Sequence, residues 1–359
     1  MNYIWPIIIS ILVSWCGIML FRKFKILDKP WNDLKNTRKP VPTMQWIFVY
    51  LWFFLIILIL FPGYFQNNIF LWLLFGSLPI FVIELLEELH YMWKIKFKVP
   101  QYLRLIWHIL AWILAVYIWH FWPQELLLWS HKIIISQWVF ALLFVLRSIL
   151  CINAINRFDG IYAQASGVSS IGFLTIFLLI KFVVFRYYTD FTQDNMQILL
   201  LVQNMSFVLF SVSLVSTFVE YKPIGLVRDL GIMFYGFSLA YLSVIWWAKI
   251  WTLIVALSLV IFDAIRVGLY RIFVMKKNPL RWDYTHLHHR LMWLGWERFE
   301  VRAFVRIRSL IMMILILLQW TNRTNKLIIF ALMALVFFGI NYYLFVVKKL
   351  NLGLRMEKE

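Results

Sequence analysis

The sequence predicts an all-α, polytopic transmembrane bundle of about eleven spans, with the N-terminus outside and the C-terminus in the cytoplasm, and three observations predict it. Hydrophobic residues make up 63% of the 359 and charged residues only 14%, against roughly 25% charged in an average soluble domain. Apolar runs of bilayer length recur along the whole chain. Lys and Arg number 35 against 17 Asp and Glu, and they gather in alternate loops. A single soluble core stops growing near about 250–300 residues, so this much apolar surface excludes a soluble enzyme. The same composition excludes a disordered chain and a secreted disulfide scaffold. Cys16 and Cys151 both lie in apolar runs, so neither a disulfide framework nor a thiolate metal site is implied.

A bilayer core takes about 20 apolar residues per helix. Candidate spans run over 3–21, 44–62, 69–87, 103–121, 133–151, 166–185, 197–218, 231–247, 250–267, 308–320 and 326–347. A Trp-rich turn around Lys249 is all that separates the eighth from the ninth, so a count of ten is the alternative. The tenth is short and requires Arg306 and Arg308 to snorkel. The first stretch has neither a basic n-region nor a small-residue cleavage site, so it is read as a span rather than a signal peptide. The chain contains no internal repeat and no soluble domain. It is one integral membrane domain, 1–359, with polar segments at 22–43, 84–104, 152–165, 219–231 and 263–306.

Loop charge sets the orientation. With 22–43 in the cytoplasm and the spans alternating, 28 of the 35 basic residues fall on the cytoplasmic side, as the positive-inside rule requires. Lys132, Lys181, Arg186, Lys249, Arg323 and Lys326 stay outside. Of the acids, only Glu125, Asp190 and Asp194 fall outside. A formal charge of +18 in such a protein marks topology and favours anionic lipid head groups and anionic substrates such as nucleotides; nucleic acid is not an expected partner.

Chemistry-bearing residues gather on that same side. Glu84, Glu87 and Glu88 close the third span and share one helix face. They are a solvated helix end, or are paired with Lys94, Lys96 and Lys98, or bind a divalent cation; oxygen-only ligands suit Mg²⁺. Asn153, Asn156 and Asp159 follow the fifth span at i, i+3, i+6, with Gly160 permitting a turn; they read as a polar helix terminus or as a ligand-binding line. Arg228, Asp229 and Gly231 open the eighth span, where an acid also complements the helix dipole. His286, His288 and His289 stand beside Arg290 in the longest loop, with Asp283 and Arg281 just before. That mixture suits a phosphate or diphosphate better than zinc. Asp28, Pro30, Arg38, Lys39, Pro40 and Pro42 give a stiff, basic first loop.

Taken in order, these segments resemble the polyprenyl-phosphate N-acetylhexosamine-1-phosphate transferases. The similarity runs through Asp28/Pro30, Glu87-Glu88, Arg104-Leu105, Asn153/Asn156/Asp159-Gly160, Asp229/Gly231 and His286/His288/His289. The run from Asp283 through His286, His288, His289, Arg290 and Leu291 to Leu294-Gly295 is similar to the GlcNAc-1-phosphate branch more than to the pentapeptide branch. The chain departs from the family pattern at several points. Glu87-Glu88 stands for an Asp-Asp pair, Tyr162 for a second acid after Asp159, Arg228 for a Gly, Ile232 for a Ser, and Gln45-Trp46 for a Gly-Gly.

The resemblance implies a multi-pass protein of the bacterial inner membrane that starts a cell-envelope glycan. A sugar-1-phosphate would pass from a UDP-N-acetylhexosamine to undecaprenyl phosphate, releasing UMP. It implies catalytic roles for Glu87, Glu88, Asp159 and Asp229, and Mg²⁺ (or Mn²⁺) held by Asp229 and Asp159. It implies substrate contacts from Asn153, Asn156, His286, His288, His289, Arg290, Lys94 and Arg104. The expected partners are the UDP-sugar, undecaprenyl phosphate, membrane lipid and a second copy in a homodimer. Two alternatives remain: a non-catalytic relative that binds polyprenyl phosphate, and an unrelated transporter, which would place its acids at the bilayer midplane.

Overall fold

The structure is a computed structural model that describes residues 3–28, 40–43, 45–93, 99–117, 125–128, 131–134, 137–185, 192–245, 256–278, 284–318 and 323–342. Helices dominate among these residues. They are α1 (Ile4–Lys23), α2 (Gln45–Leu60), α3 (Asn68–Trp93), α4 (Gln101–Tyr117), α5 (Gln137–Arg157), α6 (Gln164–Leu178), α7 (Gln193–Tyr221), α8 (Arg228–Ile245), α9 (Ser258–Leu269), α10 (Leu287–Trp293), α11 (Arg298–Leu318) and α12 (Arg323–Tyr342). Four helices are long and apolar enough to cross a bilayer: Ile4–Lys23, Asn68–His90, Gln164–Val184 and Gln193–Tyr221. Shorter apolar helices cover Val49–Leu60, Tyr102–Ile113 and Ile328–Tyr342. In lipid every backbone polar group must be satisfied within the protein, and helices do this segment by segment.

Two short strand pairs accompany the helices. Leu27–Asp28 pairs antiparallel with Val41–Pro42, and Glu125–Leu128 with His131–Ile134. The second pair takes up residues that periodicity had assigned to the fifth span, which begins at Gln137 instead of 133. A short apolar run beside a β-branched one, as in 126–128 and 133–134, carries no periodicity that separates strand from helix. The expected tenth span also differs, since α11 starts already at Arg298. Glu300 accepts a hydrogen bond from the backbone N–H of Glu297 at 2.8 Å, fixing that start, as an acid three residues into a helix does.

Helix α8 is the hub. It packs on α2, α3, α5 and α6, and its residues from Leu230 to Leu242 are nearly all buried, as an all-round apolar helix must be. Helices α6 and α7 pack closely because Ser166, Gly167, Ser169, Ser170 and Gly172 keep α6 thin. The hydroxyls of Ser206, Ser211, Ser213, Ser216 and Thr217 on α7 donate to carbonyls four residues back, which satisfies them away from water. Large apolar side chains such as Trp5, Leu12 and Trp15 on α1 and Leu335 and Phe338 on α12 are exposed, as lipid-facing residues are. At Gly236, an added Cβ would lie 2.8 Å from the Cα of Ile152, so α8 touches the backbone of α5 next to Asn153.

Candidate active site

Three separated stretches of sequence meet at the C-terminal end of α3. Glu84, Glu87 and Glu88 are all buried there, and each has a donor. Arg104, on the first turn of α4, donates from Nε to Glu84 Oε1 at 2.8 Å and from Nη2 to Glu84 Oε2, a forked pairing that suits a planar guanidinium. His108, one turn on, sets Nε2 3.6 Å from Glu84 Oε1. Arg104 Nη2 also reaches Asp229 Oδ2 at 3.3 Å. The backbone N–H of Val99 donates to Glu87 Oε2 at 3.2 Å. Arg228 Nε donates to Glu88 Oε1 at 2.9 Å. The Glu84 side chain is 0% exposed and that of Asp229 49% exposed, so Asp229 is the acid of this cluster that meets solvent.

Arg228 stands at φ +57°, in the left-handed region that costs a residue with a Cβ roughly 1–2 kcal/mol. A glycine would fit there without strain. The side chain that incurs this cost is the one that pairs Glu88. Two departures from the family pattern, Glu at 88 and Arg at 228, are therefore one feature in space.

A second group forms around Gly160. Its Cα faces His288 so closely that an added Cβ would lie 1.9 Å from Nε2, and Phe158 meets the same imidazole edge-on at 5.6 Å. The asparagine-aspartate line and the histidine segment are thus in contact. His286 is aligned by Asp263, whose Oδ2 lies 2.8 Å from Nδ1; such a carboxylate fixes the tautomer of the ring. Asp263 Oδ1 accepts from Arg266 at 2.9 Å and from the backbone N–H of Leu287 at 3.1 Å. His289 packs against Tyr284 and His288. Gly160→Ala is expected to displace His288 and lower the melting temperature of the detergent-solubilised protein by several degrees, since overpacking costs about 1–3 kcal/mol. An unchanged melting curve would contradict the close contact.

The other anticipated residues fall as follows. Asn153 donates from its amide to Ile149 O at 2.8 Å, within its own helix. Asn156 Oδ1 has no hydrogen-bond partner among the described residues. Asp159 lies in the turn after α5, its N–H on Asn156 O at 3.1 Å. Arg290 is fully buried and donates to Asn341 of α12; burial and the neighbouring Arg266 push its pKa down, against the pull of Asp263. Lys94, Lys96, Lys98, Asp283, Arg281, Pro30, Arg38 and Lys39 lie outside the described residues.

Sequence reasoning missed three supports. Asp263, at the edge of the 263–306 polar segment, is fully buried in α9. Glu220, buried at the end of α7, accepts from Ser166 Oγ at 2.6 Å and from the backbone N–H of Val227 at 3.0 Å. Arg302 and Arg306 of α11 donate to the carbonyls of Tyr162 and Ala163, and Arg302 lies over the Tyr221 ring at 4.4 Å. Ala163 itself sits at φ +63°. A buried acid in an apolar run was the one signal available for Asp263 and Glu220.

Among the described residues no three His, Cys, Asp or Glu side chains gather closely enough to hold a metal ion. Mg²⁺ is commonly bound through one or two carboxylates plus substrate phosphates rather than by an all-protein cage. A half-exposed Asp229 fits that role.

The chain is 31% identical over 151 residues to a Bacillus subtilis (strain 168) protein named as a probable undecaprenyl-phosphate N-acetylglucosaminyl 1-phosphate transferase. The match covers 40% of this chain and 38% of that relative. No family model matches the chain. The similarity supports the family that the motifs resemble, and the long apolar helices are compatible with a helical membrane protein.

Proposed function

We propose that this protein transfers an N-acetylhexosamine-1-phosphate from a UDP-sugar to undecaprenyl phosphate at the cytoplasmic face of a bacterial inner membrane. The observation that carries the reading is the meeting of Glu84, Glu87 and Glu88 with Arg104, Arg228 and Asp229 at one end of the bundle. A lipid whose phosphate sits at the interface requires its site there. A phosphate oxygen of the lipid attacks the sugar-bearing phosphorus of the UDP-sugar. A new P–O–P bond forms, the old one breaks, and UMP leaves with the bonding electron pair. Such a reaction asks a protein mainly for positioning and charge stabilisation.

Asp229, with Asp159, would hold Mg²⁺, which neutralises diphosphate charge when bound. Arg104 fixes the position of Asp229 while its own orientation is set by Glu84. Glu87 and Glu88 lie beside the acceptor phosphate in this reading. His286, aligned by Asp263, and His288, seated on Gly160, would face the sugar diphosphate.

The deciding assay follows label from UDP-[³H]GlcNAc into butanol-extractable lipid in membranes containing the protein, with and without Mg²⁺. Label in the lipid fraction that depends on both the protein and Mg²⁺ is the expected result; its absence with every UDP-N-acetylhexosamine would refute the reading. The orientation is tested separately at two exposed positions. Lys222→Cys and Glu297→Cys, on a background lacking Cys16 and Cys151, should react with a membrane-impermeant thiol reagent only after the cells are permeabilised. Labelling in intact cells would place the site on the wrong face.

A further inference from the structure

We propose that Arg228 is a tethered cation that competes with a divalent metal ion for Glu88, and so sets how much metal the site requires. The inference rests on the reading of this site as a metal-assisted phosphotransferase. Three observations lead to it. Arg228 Nε sits 2.9 Å from Glu88 Oε1, and the pair is formed from a left-handed backbone position, φ +57°. Glu88 is 97% buried, being only 3% exposed, and its second oxygen, Oε2, has no hydrogen-bond partner among the described residues. Asp229, the next residue after Arg228, is the half-exposed carboxylate of the same cluster.

A buried carboxylate with one oxygen unmatched is a strong acceptor for a cation. Without Arg228, Glu88 would present an unmatched carboxylate beside Asp229, on which Arg104 alone would remain, to an ion arriving at the exposed side. With Arg228 in place, the charge of Glu88 is matched as well. A divalent ion must then either displace the guanidinium or bind through Asp229 and the substrate phosphates alone. The Arg228 side chain is 25% exposed, so it has a path outward when displaced. The glycine that the family pattern carries at this position brings no such competitor, so this chain would bind metal more weakly before substrate arrives. It would depend more on the diphosphate to bring the ion in.

The test measures Mn²⁺ binding to the purified full-length protein in detergent, from the electron paramagnetic resonance signal of free Mn²⁺, and needs no turnover. Arg228→Gly removes the backbone strain but leaves the buried Glu88 without its cation, so each titration is read beside a melting curve of the same preparation. The Mn²⁺ dissociation constant of Arg228→Gly should fall about tenfold, the scale of one nearby charge at intermediate screening. Arg228→Lys, which keeps the charge, should stay within about threefold of the parent on the same argument. The double variant Glu88→Gln/Arg228→Gly should lose the gain, because the carboxylate set free is gone. Unchanged or weaker binding in Arg228→Gly, a gain that persists in the double variant, or no Mn²⁺ bound by any variant would each overturn the proposal. The lipid-transfer assay separates this from the proposed function. Shifted affinities without transfer would sink the transferase reading and leave the role of Arg228 standing; transfer with unshifted affinities would do the reverse.

Discussion

Asp229→Asn is expected to cut transfer to the lipid by on the order of 1,000-fold, the scale of losing a preorganised charge in a reaction centre, while the protein still inserts and folds. The amide preserves the shape of the side chain and removes the charge that Arg104 uses and that a metal would use in the proposed reaction. Asp229 is half exposed, so its neutralisation leaves no buried charge without a partner and the fold has little to lose. The measurement is label in butanol-extractable lipid, beside a melting curve and a size-exclusion profile of the same preparation. Retention of more than a tenth of the parental rate in a well-folded variant would remove Asp229 from the site.

Arg104→Met should have the largest effect on stability. The change leaves Glu84, with no exposed surface, facing His108 alone in an apolar setting. Breaking a buried ion pair from one side typically costs about 3–5 kcal/mol, whereas replacing both partners by neutral groups is often close to neutral. Arg104→Met should therefore melt well below the parent, and Glu84→Gln/Arg104→Met should recover most of the loss. If the double variant melts lower than the single one, the two residues are not coupled in the way the geometry requires.

Much of this architecture could be read from the sequence because a bilayer imposes a simple rule on it. Long apolar runs gave α1, α3, α6 and α7 nearly at their observed positions. Boundaries were hardest to place where charge and apolar runs mix. Arg298, Arg302 and Arg306 looked like loop because a cation on a helix is read as an exit to solvent, yet two of them end on the carbonyls of Tyr162 and Ala163. The site was legible as a set of motifs, since polar residues at the ends of apolar helices stand out. Their pairing was not legible. Nothing in the spacing of Glu88 and Arg228 says that they meet, because that contact is made by the packing of α3 on α8. Arg228 looked like a lost glycine when it was also a gained ion pair. Glu84 read as one of three similar acids, and only burial singles it out as the partner of Arg104. The role of Asp263 in aligning His286 likewise depends on a long-range contact that sequence pattern cannot supply.

Glu220 carries a consequence for how this end of the molecule opens. One carboxylate holds the hydroxyl of Ser166 at the start of α6 and the backbone N–H of Val227 just before α8. The first segment follows the Asn153-to-Gly160 line and the second leads directly into Arg228 and Asp229. Stability is distributed in cooperative units that open together, and here two stretches far apart in sequence share a single latch. The amide of Val227 should exchange its hydrogen for deuterium only when the turn around Ser166 also lets go, so both should gain mass with one rate. In Glu220→Gln the two rates should part. This end of the bundle would then behave as two separately breathing flaps, where the parent protein has one.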